Sequence, residues 1–466
     1  MLRFGFLLTT TFLIAFPLCG TTVLWDDTDH RLDTPVEDPE ARYPKVAATG
    51  DRVYVVWEDE RNGNEDVYFN RSLDQGITWR PTDTRINTSA AGERRSMGPQ
   101  VAASGSRVYV VWFEPRTYYP DIFFNYSTNG GTTWQPSDIR LNTDAAGEHY
   151  AAWPLIHIDG DMVWVVWKDG RNSDWNTLNS LYMNHSTDGG ETWQSSDSRI
   201  SMETGTEISD FQIENNATNV YVVWQQLRTE GDGVFLNWST NNGVSFQPAD
   251  TKVNHNTSDG DVYTPNLSVQ GSVLNVVWWY SFNYNSYIMA NRSVNGGLDW
   301  QATDTELVYP GSAPALASST SQLALVYPKD DELLFVSSED QGLTWSDEAK
   351  VVRPYSVRDF EDWHIQTHGQ HVVVIWQDLA NLEGDILCNG SSNSGEVFGT
   401  IPSVVNTTHA VYGYLHRPDL AVNEDFSRVY VVWQQDFMTY FRAGTPTLFA
   451  DGFDLGTTSQ WSDVVE

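Results

Sequence analysis

The sequence is poor in positive charge, in cysteine and in long apolar runs. Its 466 residues include 27 Lys or Arg and 62 Asp or Glu, which gives a formal net charge of −35. Lys and Arg are the residues that hold nucleic-acid phosphates and anionic lipid headgroups, so this balance argues against both as partners. Two Cys give no disulfide framework, and no apolar run reaches the ~20 residues of a membrane-spanning helix. A nucleophile elbow and a phosphate-binding loop are also absent.

The N-terminal segment has the pattern of a secretory signal. Residues 1–20 contain one Arg, then a short apolar run, then an exit of Pro, Leu, Cys and Gly. We therefore predict a signal peptide over 1–20 and a secreted or cell-surface protein exported as bacterial proteins are. A lipid anchor at Cys19 is disfavoured because Phe16-Pro17-Leu18 fits a lipoprotein signal poorly. After cleavage Cys388 is the only thiol.

An eight-residue pattern dominates the rest of the chain. Its third copy reads STDGGETW, and the seven copies begin at Ser72, Ser127, Ser186, Ser239, Ser293, Ser338 and Ser391. Each has Ser first, Asp or Asn third, Gly fifth and Trp or Phe eighth. A third-position carboxylate or amide accepts bonds from backbone N–H groups of a turn, and Gly supplies a positive φ. Because the pattern recurs in every unit, we interpret it as a fold-forming hairpin turn, not a catalytic motif.

The turns belong to units of four short strands. An apolar strand of the type VYVVWED, first seen at Val53, occurs eight times at a period of about 50 residues, which is typical of a β-propeller. The segment Trp25–Thr34 matches Trp79–Thr88 position for position, yet no blade precedes it. The last unit, from Val429, has no clear turn or outer strand behind it. We therefore predict an all-β, eight-bladed propeller over 21–446, closed by its N-terminal strand, and a separate tail over 447–466.

The recurring turns resemble Asp-boxes, also called BNR repeats, over roughly residues 22 to 445. Proteins with such repeats include sialidases, other glycoside hydrolases and many secreted propellers. The resemblance implies a propeller, an extracellular location and often a glycan ligand. It does not imply one reaction, because function depends on the site and not on the fold.

Sialidases are the group with the most specific further motifs. They are typically six-bladed and carry an Arg-Ile-Pro tripeptide on the first strand, where this chain has Arg42-Tyr43-Pro44. The resemblance implies a loop carboxylate as acid/base, for which Asp66 is the leading candidate, beside Glu65, Glu60 and Asp59. A Tyr–Glu nucleophile pair is not identified by any motif; Tyr412 and Tyr414, just before Arg417, are candidates by position only. Arg42 and Asp66 are thus the catalytic candidates if the chain is sialidase-like.

One face of the propeller is expected to carry the binding residues, because the loops after the VVW strands and between blades lie together there. Four of these loops have an Arg four residues after the strand Trp: Arg61, Arg116, Arg171 and Arg228. In one interpretation each Arg pairs with an acid on a neighbouring loop, such as Glu93, Glu148 or Glu207. In the other, several converge near the axis and bind a carboxylate or sulfate. Aromatic loops at Tyr118-Tyr119, at Trp175 and at Trp279–Tyr284 are candidates for stacking on sugars or for packing between blades.

The evenness of the units favours binding over catalysis. No unit shows a complete catalytic set, so we expect a non-catalytic extracellular glycan-binding protein, and a monomer. The alternatives are a sialidase-type exo-glycoside hydrolase and a protein-binding surface scaffold. No cofactor is expected; Ca²⁺ at acidic pairs such as Asp26-Asp27 or Asp330-Asp331 is the one metal alternative.

Overall fold

The computed structural model describes residues 23–36, 40–173, 176–203, 205–229, 231–255, 260–346, 350–353, 360–379, 384–399, 401–407 and 415–446. Over these residues the regular structure is all β-strand, with thirty-three strands in eight sheets. Each sheet is an antiparallel blade of at least four strands, and the blades form a ring. The predicted eight-bladed β-propeller is confirmed. The predicted signal peptide and tail lie outside the described residues.

The strands are numbered in chain order, and the segments before blade 1 come first. These are β1 (Val23–Trp25) and β2 (His30–Arg31). Blade 1 contains β3 (Ala41–Thr49), β4 (Arg52–Asp59), β5 (Asp66–Ser72) and β6 (Thr84–Arg85), and blade 2 contains β7 (Met97–Ser104), β8 (Arg107–Glu114), β9 (Asp121–Ser127) and β10 (Ile139–Arg140). Blade 3 contains β11 (Ala151–Asp159), β12 (Met162–Asp169), β13 (Ser180–Ser186) and β14 (Ser198–Arg199), and blade 4 contains β15 (Phe211–Asn216), β16 (Asn219–Arg228), β17 (Gly231–Ser239) and β18 (Thr251–Lys252). Blade 5 contains β19 (Asp261–Gln270), β20 (Val273–Phe282), β21 (Asn285–Ser293) and β22 (Thr305–Val308), and blade 6 contains β23 (Ala315–Ser318), β24 (Leu323–Lys329), β25 (Glu332–Ser338) and β26 (Lys350–Arg353). Blade 7 contains β27 (Phe360–His368), β28 (His371–Asp378), β29 (Asp385–Ser391) and β30 (Ser403–Val404), and blade 8 contains β31 (Leu415–Val422), β32 (Val429–Gln435) and β33 (Met438–Pro446).

The second strand of each blade is buried on both sides, which explains its unbroken apolar sequence. In β4, Val53, Val55 and Trp57 pack against blade 8, while Tyr54 and Val56 pack against blade 2. All five are fully buried. Eight apolar clusters of this kind exist, one between each pair of neighbouring blades. The core is therefore a ring of inter-blade contacts.

The N-terminal segment closes the ring as predicted. β1 and β2 both pair antiparallel with β33, the third strand of blade 8. The backbone N–H of Leu32 donates to the carbonyl of Thr439 at 2.8 Å, as that of Ile86 does to Val67 in blade 1. Residues separated by about four hundred positions thus share one sheet, and blade 8 has no open outer edge.

The seven octapeptide turns have one hydrogen-bond pattern. The first-position Ser donates to the third-position Asp or Asn, and the N–H of the fifth-position Gly donates to the Ser hydroxyl. The third side chain also accepts from the N–H of the seventh residue. Every fifth-position Gly has a φ between 73 and 89°. This is the bonding expected of a fold-forming turn.

The eighth-position aromatic joins two blades. Trp134 lies edge-on to Phe69 of the preceding blade, with ring centroids 4.9 Å apart. Trp193 meets Phe124 in the same way at 4.8 Å. The turn therefore aligns its blade with the one before it.

The ring has two different faces. The turn face carries the octapeptides and the short links between first and second strands, as the bond from the N–H of Gln75 to the carbonyl of Asp51 shows. The loop face carries the links between second and third strands and those between blades. There, the N–H of Ser96 donates to the carbonyl of Glu65.

Candidate functional site

The innermost strands share a bulge where they reach the loop face. Their pairing with the second strand shifts in six blades, in blade 1 between Arg42 and Lys45. At each bulge one residue has a positive φ; these residues are Tyr43, Gly98, Trp153, Thr264, Asp362 and Arg417. Five of the six precede a Pro. The Arg42-Tyr43-Pro44 tripeptide is therefore one copy of a repeated structural feature, which weakens its likeness to the sialidase motif.

The four loop arginines do not converge near the propeller axis, so the hypothesis that several of them bind one carboxylate or sulfate together is wrong. Each stacks on the aromatic ring of its own third strand: Arg61 on Tyr68, Arg116 on Phe123, Arg171 on Tyr182 and Arg228 on Phe235, at 3.7 to 4.1 Å from the guanidinium carbon to the ring centroid. That position lies towards the outside of the blade, away from the inner strand. Each arginine therefore remains within its own blade.

The acids that pair with these arginines also differ from those expected. Arg171 pairs with Asp169, which ends the second strand, and with Asp197 of the outer segment at 2.9 Å. The Asp197 carboxylate in turn accepts bonds from the N–H and hydroxyl of Thr143 in blade 2. Arg61, Arg116 and Arg228 have equivalent partners in Asp83, Asp138 and Asp250. Among the described residues, no ion pair joins these arginines to the expected partners Glu93, Glu148 and Glu207; the outer Asp that ties each blade to its neighbour takes that place.

Asp66, the proposed acid/base, is a structural residue. It is fully buried and accepts from the side chains of Asn62 and Asn87 at 2.8 and 2.7 Å, and from the N–H of Gly92. Asp121 in blade 2 accepts the same kinds of bonds from Asn142 and Gly147. A residue with the same partners in two blades is explained by the fold.

Arg42 belongs to a different group of charges, on the loop face of blade 1. It pairs with Glu60 at 2.9 Å and with Glu40, and lies over the ring of Phe437. Its strand neighbour Glu58 is buried and accepts a 2.6 Å bond from the N–H of Gly98. Arg42 is thus held by acids, and no bond to Asp66 occurs among the described residues.

Glu58 is the functional candidate that the sequence reasoning missed. Burial raises the pKa of its carboxyl to about 7, against the smaller effects of Gly98, Arg42 and Arg95. Close by, the hydrogen bond from Arg95 holds the pKa of Glu65 below its usual range. The signal lay in the repeat: this position holds Glu58, Phe113 and Lys168 in blades 1 to 3, whereas the residues before it are nearly constant.

A cavity of about 210 Å³ opens among the inner strands of blades 1, 7 and 8, and is called the inner-strand cavity. It is lined by Tyr43, Pro44, Lys45, Asp362, His364, Arg417 and Pro418. The exposed Arg417 lies over the Tyr43 ring at 3.8 Å from its centroid. Lys45 is 3.5 Å from a carboxylate oxygen of Asp419, and burial lowers the pKa of His364. Of the sequence candidates, Arg417 is here; Tyr412 and Tyr414 lie outside the described residues.

The aromatic candidates are dispersed over the loop face. Tyr118 is exposed and meets Tyr119 edge to face at 4.6 Å. Trp279 contacts Tyr263 at 4.7 Å between ring centroids, and Tyr284 is fully exposed. Trp175 lies outside the described residues.

The described residues were also compared with the requirements of a metal site and of a membrane-spanning helix. There, no group of three or more His, Cys, Asp or Glu is arranged to hold a metal ion. Asp26, one member of an acidic pair considered for Ca²⁺, pairs with Arg428 at 2.6 Å. Cys388 is a buried free thiol. In the same ranges no helix has the length and apolarity needed to cross a membrane.

Comparison with known proteins gives distant structural likenesses. No family model and no curated protein sequence matches the chain. A polysaccharide lyase, an ulvan lyase bound to -[GlcA(1-4)Rha3S]-, aligns at 11% identity and a TM-score of 0.47 over 90% of this chain and 94% of its own. A Hadza microbial sialidase aligns at 13% identity and 0.39 over 84% and 76%. A puromycin-hydrolysing peptidase of Mycobacterium tuberculosis aligns at 13% and 0.46 over 88% and 62%. At such values the likenesses carry no inference about activity.

Proposed function

We propose that this chain is a secreted propeller of the Asp-box type whose loop face binds extracellular glycans without cleaving them. The observation that carries the proposal is the exposed guanidinium of Arg417 at the inner-strand cavity. Arg61, Arg116, Arg171 and Arg228 are all engaged in ion pairs inside their blades. Arg417, in contrast, is an exposed cation in a molecule of net charge −35.

The chemistry of this cavity suits an acidic sugar. Arg417 presents a planar fork of N–H donors that matches a carboxylate or sulfate, and its stack on Tyr43 holds the guanidinium in place. Lys45 also lines the cavity, with its ammonium 3.5 Å from a carboxylate oxygen of Asp419. At about 210 Å³ the cavity is smaller than the ~300–1,000 Å³ of typical small-molecule pockets. We therefore expect it to receive one charged group or one terminal residue of a glycan.

A second candidate function, glycoside hydrolysis, is favoured by the carboxyl pair between blades 1 and 2. Glu58 has a raised pKa and Glu65 a lowered one, and two carboxyls separated in this way are suited to acid and base roles. Arg42 lies beside them. In this alternative Glu58 takes the role that the sequence suggested for Asp66, because Asp66 is fully buried within the repeat.

The binding experiment compares two arginines on opposite faces. Mature protein is titrated with sialylated, uronate-containing and sulfated oligosaccharides, as wild type and as Arg417→Ala and Arg107→Ala. Arg107 is a partly exposed cation at the turn face, paired with Asp161, and is the matched control. We expect the Arg417 change to weaken binding about tenfold or more, the usual cost of a lost charged contact, and the Arg107 change to leave it intact. Equal affinity in all three proteins would contradict the proposal.

A sugar-release assay separates binding from hydrolysis. The same glycans are incubated with wild type, Arg42→Ala and Glu58→Gln over a range of pH, and free sugars are measured by mass spectrometry. The proposal predicts no release. Release that disappears in either variant would establish the hydrolase instead, and binding of no glycan at all would favour the protein-binding scaffold.

A further inference from the structure

Blade 6 breaks the regularity of the ring. Its inner strand β23 has four residues, between inner strands of ten residues in blade 5 and nine in blade 7. A cavity of about 380 Å³ lies above this short blade, and is called the blade 6 cavity. It is lined by Ser286, Pro310, Gly311, Ser312, Pro328, Lys329, Asp330, Asp331 and Trp363. Unlike the inner-strand cavity, it falls within the ~300–1,000 Å³ of small-molecule sites.

One aromatic ring lines this cavity, and a second supports its wall. On the blade 7 side, the partly exposed Trp363 lines it, and its indole N–H donates to the carbonyl of Ala313 at 3.2 Å. On the blade 5 side, the lining residue Ser286 accepts a 3.2 Å bond at its hydroxyl from the indole N–H of Trp279, on which Tyr263 packs. The bond to Ala313 fixes the Trp363 ring, so little side-chain entropy would be lost when a ligand stacks on it.

Both tryptophans stand at positions where the repeat has something else. Trp363 follows the positive-φ bulge residue Asp362, whereas the bulges of five other blades have Pro there. Trp279 follows the second-strand Trp at the position that Glu58 occupies in blade 1. The fold therefore does not require either ring, and the two stand in the blades on either side of blade 6.

The charge of the cavity selects against anions. Asp330 and Asp331 are exposed on its rim, and the Lys329 ammonium donates to the carbonyl of Tyr309 at 3.3 Å. Two carboxylates in a strongly acidic protein repel a uronate or a sulfate, but they accept hydrogen bonds from hydroxyl groups. The fixed Trp363 indole, the hydroxyl-accepting carboxylates and the Ser286 and Ser312 hydroxyls together suit an uncharged, hydroxyl-rich ring.

We propose that the blade 6 cavity is a second carbohydrate subsite, which takes neutral pyranose rings stacked against Trp363. This inference rests on the proposed glycan-binding function and names the sugar class of a separate site. The protein would then hold an acidic group at the inner-strand cavity and neutral residues at the blade 6 cavity.

The test uses neutral hexasaccharides of gluco, xylo, manno and galacto configuration, titrated calorimetrically into the mature protein. We expect at least one to bind, with an affinity that does not change as NaCl is raised, because no charge pair forms. Trp363→Ala should weaken binding roughly tenfold, the scale of one lost aromatic contact. Trp279→Phe removes the N–H donor to the lining Ser286 hydroxyl and should weaken binding by about a few-fold. Trp153→Ala is the matched control, since Trp153 is a 52% exposed indole at the equivalent bulge of blade 3.

The outcomes separate this inference from the proposed function. Neutral binding lost in Trp363→Ala but kept in Trp153→Ala and Arg417→Ala supports the subsite. Acidic glycans that bind while all neutral ones fail would overturn the subsite and leave the proposed function standing. Neutral binding lost equally in Trp153→Ala or Arg417→Ala would also overturn it, by placing the sugar elsewhere. A Trp363→Ala protein that melts early is replaced by Asp330→Asn, a change at an exposed residue expected to weaken the same titration.

Discussion

The two faces of the propeller are built from the same repeat but use it differently. On the turn face, the three octapeptide bonds recur unchanged in all seven turns, as from Ser186, Asp188 and Thr192 in blade 3. On the loop face, equivalent positions diverge, so that Glu58 in blade 1 corresponds to Trp279 in blade 5. Repeated residues thus explain the fold, and the residues that depart from the repeat indicate where a ligand is held.

The loop arginines are the strongest test of this distinction, because they lie on the variable face but belong to the repeat. Arg171 is 13% exposed and paired with Asp169 and Asp197. Arg171→Met leaves two buried carboxylates unpaired, so we expect a loss of about 3 kcal/mol in unfolding free energy by chemical denaturation. Arg94→Met, at an exposed pair with Glu93, should change it by less than about 0.5 kcal/mol. Full stability in Arg171→Met, together with weaker glycan binding, would reverse the assignment.

Glu58 tests the same comparison with a residue that departs from the repeat. A buried carboxyl kept for function is expected to lower the free energy of unfolding. Its folded pKa of about 7 exceeds the ordinary 4.5, so the folded state keeps a proton that the unfolded chain loses as pH rises between these values. Stability therefore falls across this window, and Glu58→Gln should gain about 3 kcal/mol above pH 7 and nothing below pH 4.5. Glu65, with its lowered pKa, predicts the opposite sign for Glu65→Gln at neutral pH. The prediction is checked by measuring the denaturation midpoints of wild type and Glu58→Gln across pH. A stability difference between them that does not change with pH would refute it.

The turn glycines test how far the turn face is fixed. Gly190 has a φ of 83°, and an added Cβ would lie 2.8 Å from the Phe124 ring. Gly190→Ala combines a left-handed backbone with this clash, and we expect it to cost about 2 kcal/mol. Gly160→Ala, at a φ of 61° with no atom within 4 Å, should cost about 1 kcal/mol from the backbone alone. Equal costs would mean that the packing of the turn on its neighbour does not matter.

The smallest expected effect concerns the acid of the turn. Burial acts to raise the pKa of Asp188, but hydrogen bonds from Thr192 and Ser186 outweigh it and hold the pKa below 3.8. Its contribution is therefore present above that pH and is lost as the pH falls further. Asp188→Ala should cost about 1 kcal/mol at neutral pH, and Asp188→Asn nearly nothing, because Asn129 fills the same role in blade 2. A large penalty for Asn, measured by thermal melting, would contradict the equivalence of the turns.

Periodicity made the fold predictable. Eight apolar strands and an unmatched Trp25–Thr34 segment were enough to deduce eight blades and their closure, because each repeat must pair with its neighbours. The roles of Ser, Asp and Gly in the turns also followed from their spacing. These features depend on local backbone geometry, which short sequence patterns specify.

The sequence did not predict the radial position of the loop side chains, that is, whether they lie near the propeller axis or near its rim. The spacing that placed Arg61, Arg116, Arg171 and Arg228 in equivalent loops did not tell whether they point to the axis or to the rim, and they stack on third-strand rings instead. The two cavities depend on the lengths of neighbouring strands, as at β23, and on which side of a strand a residue faces. Glu58 escaped notice because a single variable position carries no motif.

The most direct test of the account is hydrogen exchange of the whole mature protein, read by mass spectrometry with and without a bound glycan. When a glycan is bound, we expect slower exchange in loop-face peptides that contain Tyr43, Trp363 or Arg417, and unchanged exchange in the seven octapeptide turns. Protection centred on the turns, with the loop face unaffected, would contradict the claim that residues departing from the repeat hold the ligand.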